Sequence, residues 1–237
     1  MDCRVHEGEI LGIMGPNGSG KSTLFNCIAG AIRPDRGSIT FAGQPIAGLP
    51  PHRILRRGLA RTFQLVRPFP HMTALANVMV GQLYGCRPSG GLAAARRAAE
   101  EHLAFVGMEG KGHLRASHLT IIDRKRVELA RCLATSPRLL LLDELMAGLN
   151  PAEAEAAVLL LRKIRAAGVT LMFVEHRVKA ILDLADRVLV LRTGERIAEG
   201  PPAEVVRDPQ VIEAYLGREA TAQRPAGSAP PAPPGSP

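Results

Sequence analysis

Residues 15–22 read Gly15-Pro16-Asn17-Gly18-Ser19-Gly20-Lys21-Ser22, and no other stretch constrains the fold as tightly. Gly15 and Gly20 enclose four residues and are followed by an amine and a hydroxyl. Glycines let a backbone wrap closely, so that successive N–H groups point at one anion. Such a loop cradles phosphate when it joins a buried strand to a helix. The flanks meet that condition. Ile10-Leu11-Gly12-Ile13-Met14 is a short apolar run, which predicts a buried strand. Ser22 to Ala29 predicts a helix whose N-terminal dipole lies under the phosphates. Lys21 can then reach the β- and γ-phosphates, and the Ser22 hydroxyl can serve Mg²⁺. Asn17, Gly18, Ser19, Gly20, Lys21, Ser22 and Thr23 are the nucleotide-binding candidates of this segment.

The chain has 237 residues, 46% of them hydrophobic, which fits one α/β domain with a small subdomain. Nothing approaches 18 consecutive apolar residues, so no transmembrane helix is expected. The N-terminus carries no basic-then-apolar leader, and no secretory signal is expected. Cys3, Cys27, Cys86 and Cys132 form no C-x-x-C pair, which argues against a metal or disulfide framework and for a reducing compartment. The net charge of +8 is mostly arginine spread along the chain. It fits a solvated basic surface or attraction to an anionic face. With 3% aromatic residues and no Trp there is little to stack on bases, so nucleic acid is not an expected partner.

Strands and helices alternate. Gly37 to Gly43 reads as a strand with turns. Residues 73–107 carry helical signals, broken at Arg87-Pro88-Ser89-Gly90-Gly91. Asp123 to Ala134 predicts a helix with Val127, Ala130 and Ala134 on one face. Arg138 to Glu144 is an apolar run ending in two acids. Pro151 to Ala167 predicts a helix, with Asn150 as its cap and Glu153 closing a capping box. Val169–Val174 and Arg187–Leu191 predict further strands. The alternation implies a mostly parallel sheet with ligand at the strands' C-terminal ends. From Arg218 onward the chain is rich in Ala, Pro, Gly and Ser, and residues 218–237 are expected to be disordered.

Two acids and a histidine complete the chemistry. Asp143 and Glu144 end an apolar strand. Asp143 suits a Mg²⁺ shell, and Glu144 suits orienting or deprotonating an attacking water. His176 follows another apolar strand, where it can reach a γ-phosphate. Gln64 ends the segment Arg61-Thr62-Phe63-Gln64 and by itself reads as a solvated residue.

In order and spacing these elements resemble the ATP-binding subunits of ABC transporters, over most of residues 8–216. The resemblance implies a P-loop NTPase α/β fold with a small antiparallel β-subdomain, truncated at its N-terminus, and an inserted helical subdomain at about residues 65–135. Residues 1–217 would form one nucleotide-binding domain. Gln64 takes the Q-loop place, binding nucleotide and metal. Leu139 to Glu144 takes the Walker B place, and His176 that of the switch histidine, so Glu144 and His176 are the catalytic candidates. Ser22, Gln64 and Asp143 are the metal candidates. The implied cofactors are ATP and Mg²⁺. The implied partners are membrane permease subunits, a second ATPase subunit and, indirectly, a substrate-binding protein. The implied location is the cytoplasmic face of the cell membrane. Arg61-Thr62-Phe63-Gln64, Ala147 to Glu153 and Asp208 to Gly217 look most like ATPase subunits of branched-chain amino acid importers.

The chain departs from that pattern in three places. The family signature is close to Leu-Ser-Gly-Gly-Gln, whereas this chain has Leu119-Thr120-Ile121-Ile122-Asp123. Thr120 and Asp123 equally read as a capping box. As a phosphate contact the stretch is crowded by branched side chains, and Asp123 adds repulsion unless Mg²⁺ or Arg124 screens it. Asn150 stands where many relatives have Asp. Only Met1 to Arg4 precede the family match, short of a strand pair of about 20 residues. That start predicts weak ATP binding, because no N-terminal aromatic can stack on adenine. Two alternative functions remain: a regulatory nucleotide-binding subunit with little turnover, and a non-transport P-loop ATPase.

Overall fold

The structure is a computed structural model that describes residues 1–62 and 68–214. Strand β1 (Ile10–Met14) runs into helix α1 (Lys21–Ile28). A hairpin of β2 (Thr40–Phe41) and β3 (Gln44–Pro45) comes next, then α2 (Pro51–Arg56) and β4 (Leu59–Arg61). Helices α3 (Ala74–Tyr84), α4 (Leu92–Phe105) and α5 (Ile121–Leu133) pack on one another. The chain then returns to β5 (Leu139–Asp143), α6 (Pro151–Ala166), β6 (Thr170–Val174) and α7 (Val178–Leu184). It continues as β7 (Arg187–Arg192), β8 (Glu195–Gly200) and α8 (Pro202–Val205), with residues 209–214 also helical.

The main sheet has the order β4-β5-β6-β1-β7-β8. Every pair in it is parallel except β7–β8. The central strands are apolar throughout because both faces are covered. Leu140, Leu142, Leu171 and Phe173 face a core shared with α3, α5 and α6. Their neighbours Leu139, Leu141, Met172 and Val174 face Phe25, Ile46 and Ile54. This alternation is the two-residue period of a strand, and full burial of one such side chain is worth about 1.5–3 kcal/mol.

Most predicted elements form within a residue or two of their expected ends. Three readings need correction. The predicted strand of residues 37–43 pairs only at Thr40–Phe41, because Ala42 and Gly43 both have positive φ and turn the chain into a hairpin. The helix expected from Asp123 starts at Ile121, with Thr120 as its cap. Asp123 does not close a capping box. Its backbone N–H donates to Thr120 Oγ1 at 3.1 Å, but its carboxylate takes Lys111 Nζ at 3.0 and 3.1 Å. Asn150 and Glu153, by contrast, form both halves of theirs.

Strand β8 is not among the predicted elements, although the sequence marks it. Thr193 and Gly194 both have positive φ, which is the signature of a tight hairpin between β7 and β8. Gln64 and the tail at 218–237 lie outside the described residues. Among the described residues no helix is long and apolar enough to cross a membrane.

Candidate functional site

The loop after β1 is shaped by its neighbours. A Cβ on Gly15 would lie 2.3 Å from the Leu191 carbonyl oxygen and 2.5 Å from Ser19 Oγ, so only glycine fits. The Gly194 N–H donates to the Ser19 carbonyl at 2.9 Å, which ties the loop to the β7–β8 turn. Gly20, at φ 100°, turns the chain into α1, and no side chain caps that helix. Its dipole end therefore faces the loop. Lys21 is buried and donates to the carbonyls of Gly15 at 2.7 Å and Pro16 at 3.0 Å. Ser19 Oγ is buried and has no hydrogen-bond partner among the described residues. Asn17, Gly18, Ser22 and Thr23 are exposed on the same loop and first turn.

A buried ammonium, an unpartnered buried hydroxyl and a cradle that excludes Cβ fit an anionic, oxygen-rich group. The Ser22 hydroxyl and the Asp143 carboxylate are hard oxygen donors of the kind Mg²⁺ takes.

Asp143 ends β5 and is 4% exposed. Its Oδ2 accepts from Arg61 Nη2 at 2.9 Å, and the other arm of Arg61, Nη1, donates to Asn26 Oδ1 on α1 at 2.6 Å. Thus β5 and the helix behind the phosphate loop are joined through one guanidinium.

Glu144, the next residue, has φ 50°, an uncommon backbone conformation for a side-chain-bearing residue. Its N–H donates to the Val174 carbonyl at 3.1 Å, which holds it against the end of β6. His176 Nε2 lies 2.9 Å from Glu144 Oε1. The two catalytic candidates, 32 residues apart in sequence, are therefore in direct contact.

The loop after Glu144 is held by charged side chains on its backbone. Lys125 Nζ, from α5, donates to the carbonyls of Leu145 at 2.7 Å and Ala147 at 2.6 Å. Glu175 Oε1 accepts from the Met146 N–H at 2.8 Å. Arg177 Nη2 donates to the Leu149 carbonyl at 2.6 Å. Burial pushes the Glu175 carboxyl above its usual pKa and the Lys125 ammonium below its own.

Arg61, Lys125 and Glu175 are absent from the site expected from sequence. A lone lysine among the arginines of α5 gives no signal, whereas Glu175, sandwiched between an apolar strand and His176, could have been flagged.

The stretch Leu119 to Asp123 is a well-formed helix start, with Ile121 exposed at its first turn. Arg124 does not screen Asp123. It donates to the carbonyls of Ala116 and Ser117, while Lys111 neutralises Asp123.

The ABC transporter family model matches residues 1–147. This chain belongs to the ABC transporter family. A second model, for branched-chain amino acid ATP-binding cassette transporters, matches residues 195–221. The chain is 37% identical to the high-affinity branched-chain amino acid transport ATP-binding protein BraF of Pseudomonas aeruginosa, over 92% of this chain and 90% of the relative. Its structure resembles the ADP conformation of an ATP-binding cassette of an ABC transporter, with TM-score 0.79 and 32% identity over 90% of this chain and 89% of the other. It also resembles a dimeric, post-hydrolysis ATP-binding cassette bound to ADP and Pi, with TM-score 0.76 and 27% identity over 84% and 88% of the two chains. The fold is thus that of the P-loop ATPase cassettes, as the sequence pattern implied.

Lys21→Ala should weaken Mg-ATP binding by about 10- to 100-fold, since a hydrogen bond to a charged group contributes about 1.5–3 kcal/mol. Calorimetric titration measures this. Equal affinity in the variant would remove Lys21 from the site.

Proposed function

We propose that this chain is the ATP-hydrolysing subunit of an importer for branched-chain amino acids, working at the cytoplasmic face of the membrane. The observation that carries the reading is the Glu144–His176 contact beside a complete phosphate loop, in a chain similar over nine-tenths of its length to BraF.

The roles of the described residues are assigned from geometry and charge, and that of Gln64 from the family resemblance alone. Backbone N–H groups of residues 17–23 and the Lys21 ammonium bind the phosphates. Ser22 and Asp143 would hold Mg²⁺, and the family resemblance adds Gln64 as a further ligand. Bound Mg²⁺ offsets the negative charge of the phosphates. Glu144 orients a water and takes its proton, and His176, 2.9 Å away, holds the Glu144 carboxylate in place. The loop after Glu144 is fixed by Lys125, Glu175 and Arg177, so the carboxylate starts from a set position.

The helical segment at residues 65–135 would dock on the permease subunits. A substrate-binding protein would act on the permease and touch this chain only indirectly.

The cassette would work as one of a pair, as in the dimeric relative. In this chain's pair each nucleotide would lie between one chain's phosphate loop and the other's signature. The signature here offers Ile121 and Ile122, whose branched side chains crowd a backbone approach to phosphate. The second ATPase would therefore be a different chain with an intact signature, and the two sites would be unequal. A regulatory subunit with little turnover is the weaker reading, because the chain carries Lys21, Asp143, Glu144 and His176, and Glu144 and His176 are in contact.

Glu144→Gln should retain ATP binding but lower hydrolysis by about 100-fold or more in the assembled complex, because an amide accepts no proton. Turnover near wild type would show that Glu144 is not the base.

Changing Thr120-Ile121-Ile122-Asp123 to Ser-Gly-Gly-Gln should raise hydrolysis at the partner's site and leave this chain's own site nearly unchanged. Site-resolved rates are obtained by removing each catalytic glutamate in turn. Full activity of a homodimer of the native chain would overturn the unequal pair.

A further inference from the structure

Arg61 opens the segment that ends in Gln64 but is given no role of its own in the proposed function, yet it touches the helix after the phosphate loop and the strand that ends in Asp143. Its Nη2 donates to Asp143 Oδ2 at 2.9 Å and its Nη1 to Asn26 Oδ1 at 2.6 Å. The side chain is 10% exposed, and the carboxylate it meets is 4% exposed. The guanidinium carbon lies 5.7 Å from the centre of the Phe25 ring, over its face, and Phe25 is fully buried.

The backbone of Arg61 is held as well. It pairs with Leu141 in the sheet, and its carbonyl accepts from Cys132 Sγ at 3.3 Å. A side chain anchored at its root and gripped at both tips acts as a fixed brace. Only arginine supplies that geometry, because its planar fork presents separate donors to two acceptors and keeps its charge.

The brace spans the two halves of the metal-nucleotide site. Asn26 is four residues after Ser22 on α1, which puts both on one face of the helix. Asp143 is the last residue of β5. Arg61 thereby sets the face that carries Ser22 against the strand end that carries Asp143. It also takes one oxygen of Asp143, so the carboxylate is oriented with Oδ1 as the oxygen left for a cation. A buried ion pair is weak evidence for stability alone. Outer-sphere partners that orient a metal ligand, by contrast, commonly control metal affinity.

We propose that Arg61 is a positioning residue for the Mg²⁺-nucleotide site, bracing Asp143 against the Asn26 face of α1 so that Ser22 and Asp143 are presented to one cation. This rests on the reading of Ser22 and Asp143 as the Mg²⁺ ligands. Arg61 itself touches neither nucleotide nor water in this scheme.

The test compares ATP affinity in Mg²⁺ with ATP affinity in EDTA, by calorimetric titration of the full chain, for wild type, Arg61→Lys and Asn26→Ala. Arg61→Lys keeps the charge but replaces the planar fork, with its two separate donor nitrogens, by a single ammonium nitrogen. Asn26→Ala keeps the Arg61–Asp143 pair and removes the far anchor, so it decides the matter if Arg61→Lys does not fold. Wild type should bind ATP more tightly with Mg²⁺. In both variants that advantage should fall by about tenfold, the lower end for outer-sphere partners of a metal. Affinity in EDTA should stay within about twofold of wild type, since the phosphate loop is untouched. An unchanged Mg²⁺ advantage in both variants overturns the proposal. So does an equal loss with and without Mg²⁺, which a merely structural role would give. A wild-type chain whose ATP affinity ignores Mg²⁺ would overturn the assignment of Ser22 and Asp143, and this inference with it.

Discussion

The site depends on how β1, β5 and β6 lie side by side. Their parallel pairing puts Asp143 opposite Val174, and Val174 opposite Ile13. The three strands therefore end level, and the loops that leave them meet at one sheet edge. After β1 comes the phosphate loop, after β5 comes Glu144, and after β6 come Glu175 and His176. A slip of one residue would send every side chain of a strand to the opposite face. The buried Leu, Val and Phe side chains on both faces prevent that slip. The apolar core thus performs a chemical task, since it sets the register on which the Glu144–His176 contact depends.

A second constraint acts on the backbone. Glu144 has a positive φ, which for a side-chain-bearing residue costs on the order of 1–3 kcal/mol and persists only when its surroundings hold it. Here the loop is held through its own N–H and C=O groups as well as by the burial of Met146 and Leu149 in the core. Lys125 grips two carbonyls, Glu175 grips an N–H, and Arg177 grips a further carbonyl. Lys125 comes from the helix that begins just after Thr120, so the Leu119–Asp123 stretch and the loop carrying Glu144 are joined by one side chain. The Glu144 loop and the Ser22–Asp143 pair are each set by a cation from a neighbouring element, Lys125 in one case and Arg61 in the other.

The legible part of the sequence was local. The phosphate loop, the acids ending an apolar strand and the capping box at Asn150 all show as short patterns, because a few consecutive residues decide them. The illegible part was paired across distance. Arg61 meets Asn26 and Asp143 from 35 and 82 residues away, and nothing near Arg61 in the sequence marks either partner. The screening of Asp123 shows the same limit. Arg124 is adjacent in sequence but points to the Ala116 and Ser117 carbonyls, whereas Lys111 folds across to the carboxylate. Short elements were hard for another reason. Strand β4 has three residues and β2 has two, too few for an alternating pattern to stand out.

The central claim is that ATP turnover at this sheet edge drives import. Reconstitution tests it directly. The chain, its second ATPase and the permease subunits would be placed in vesicles with ATP supplied on the cassette side and binding protein on the other. The account predicts uptake of labelled leucine, isoleucine or valine that requires both ATP and this chain. Uptake that continues without this chain, or steady ATP hydrolysis with none of these amino acids moved, would contradict it.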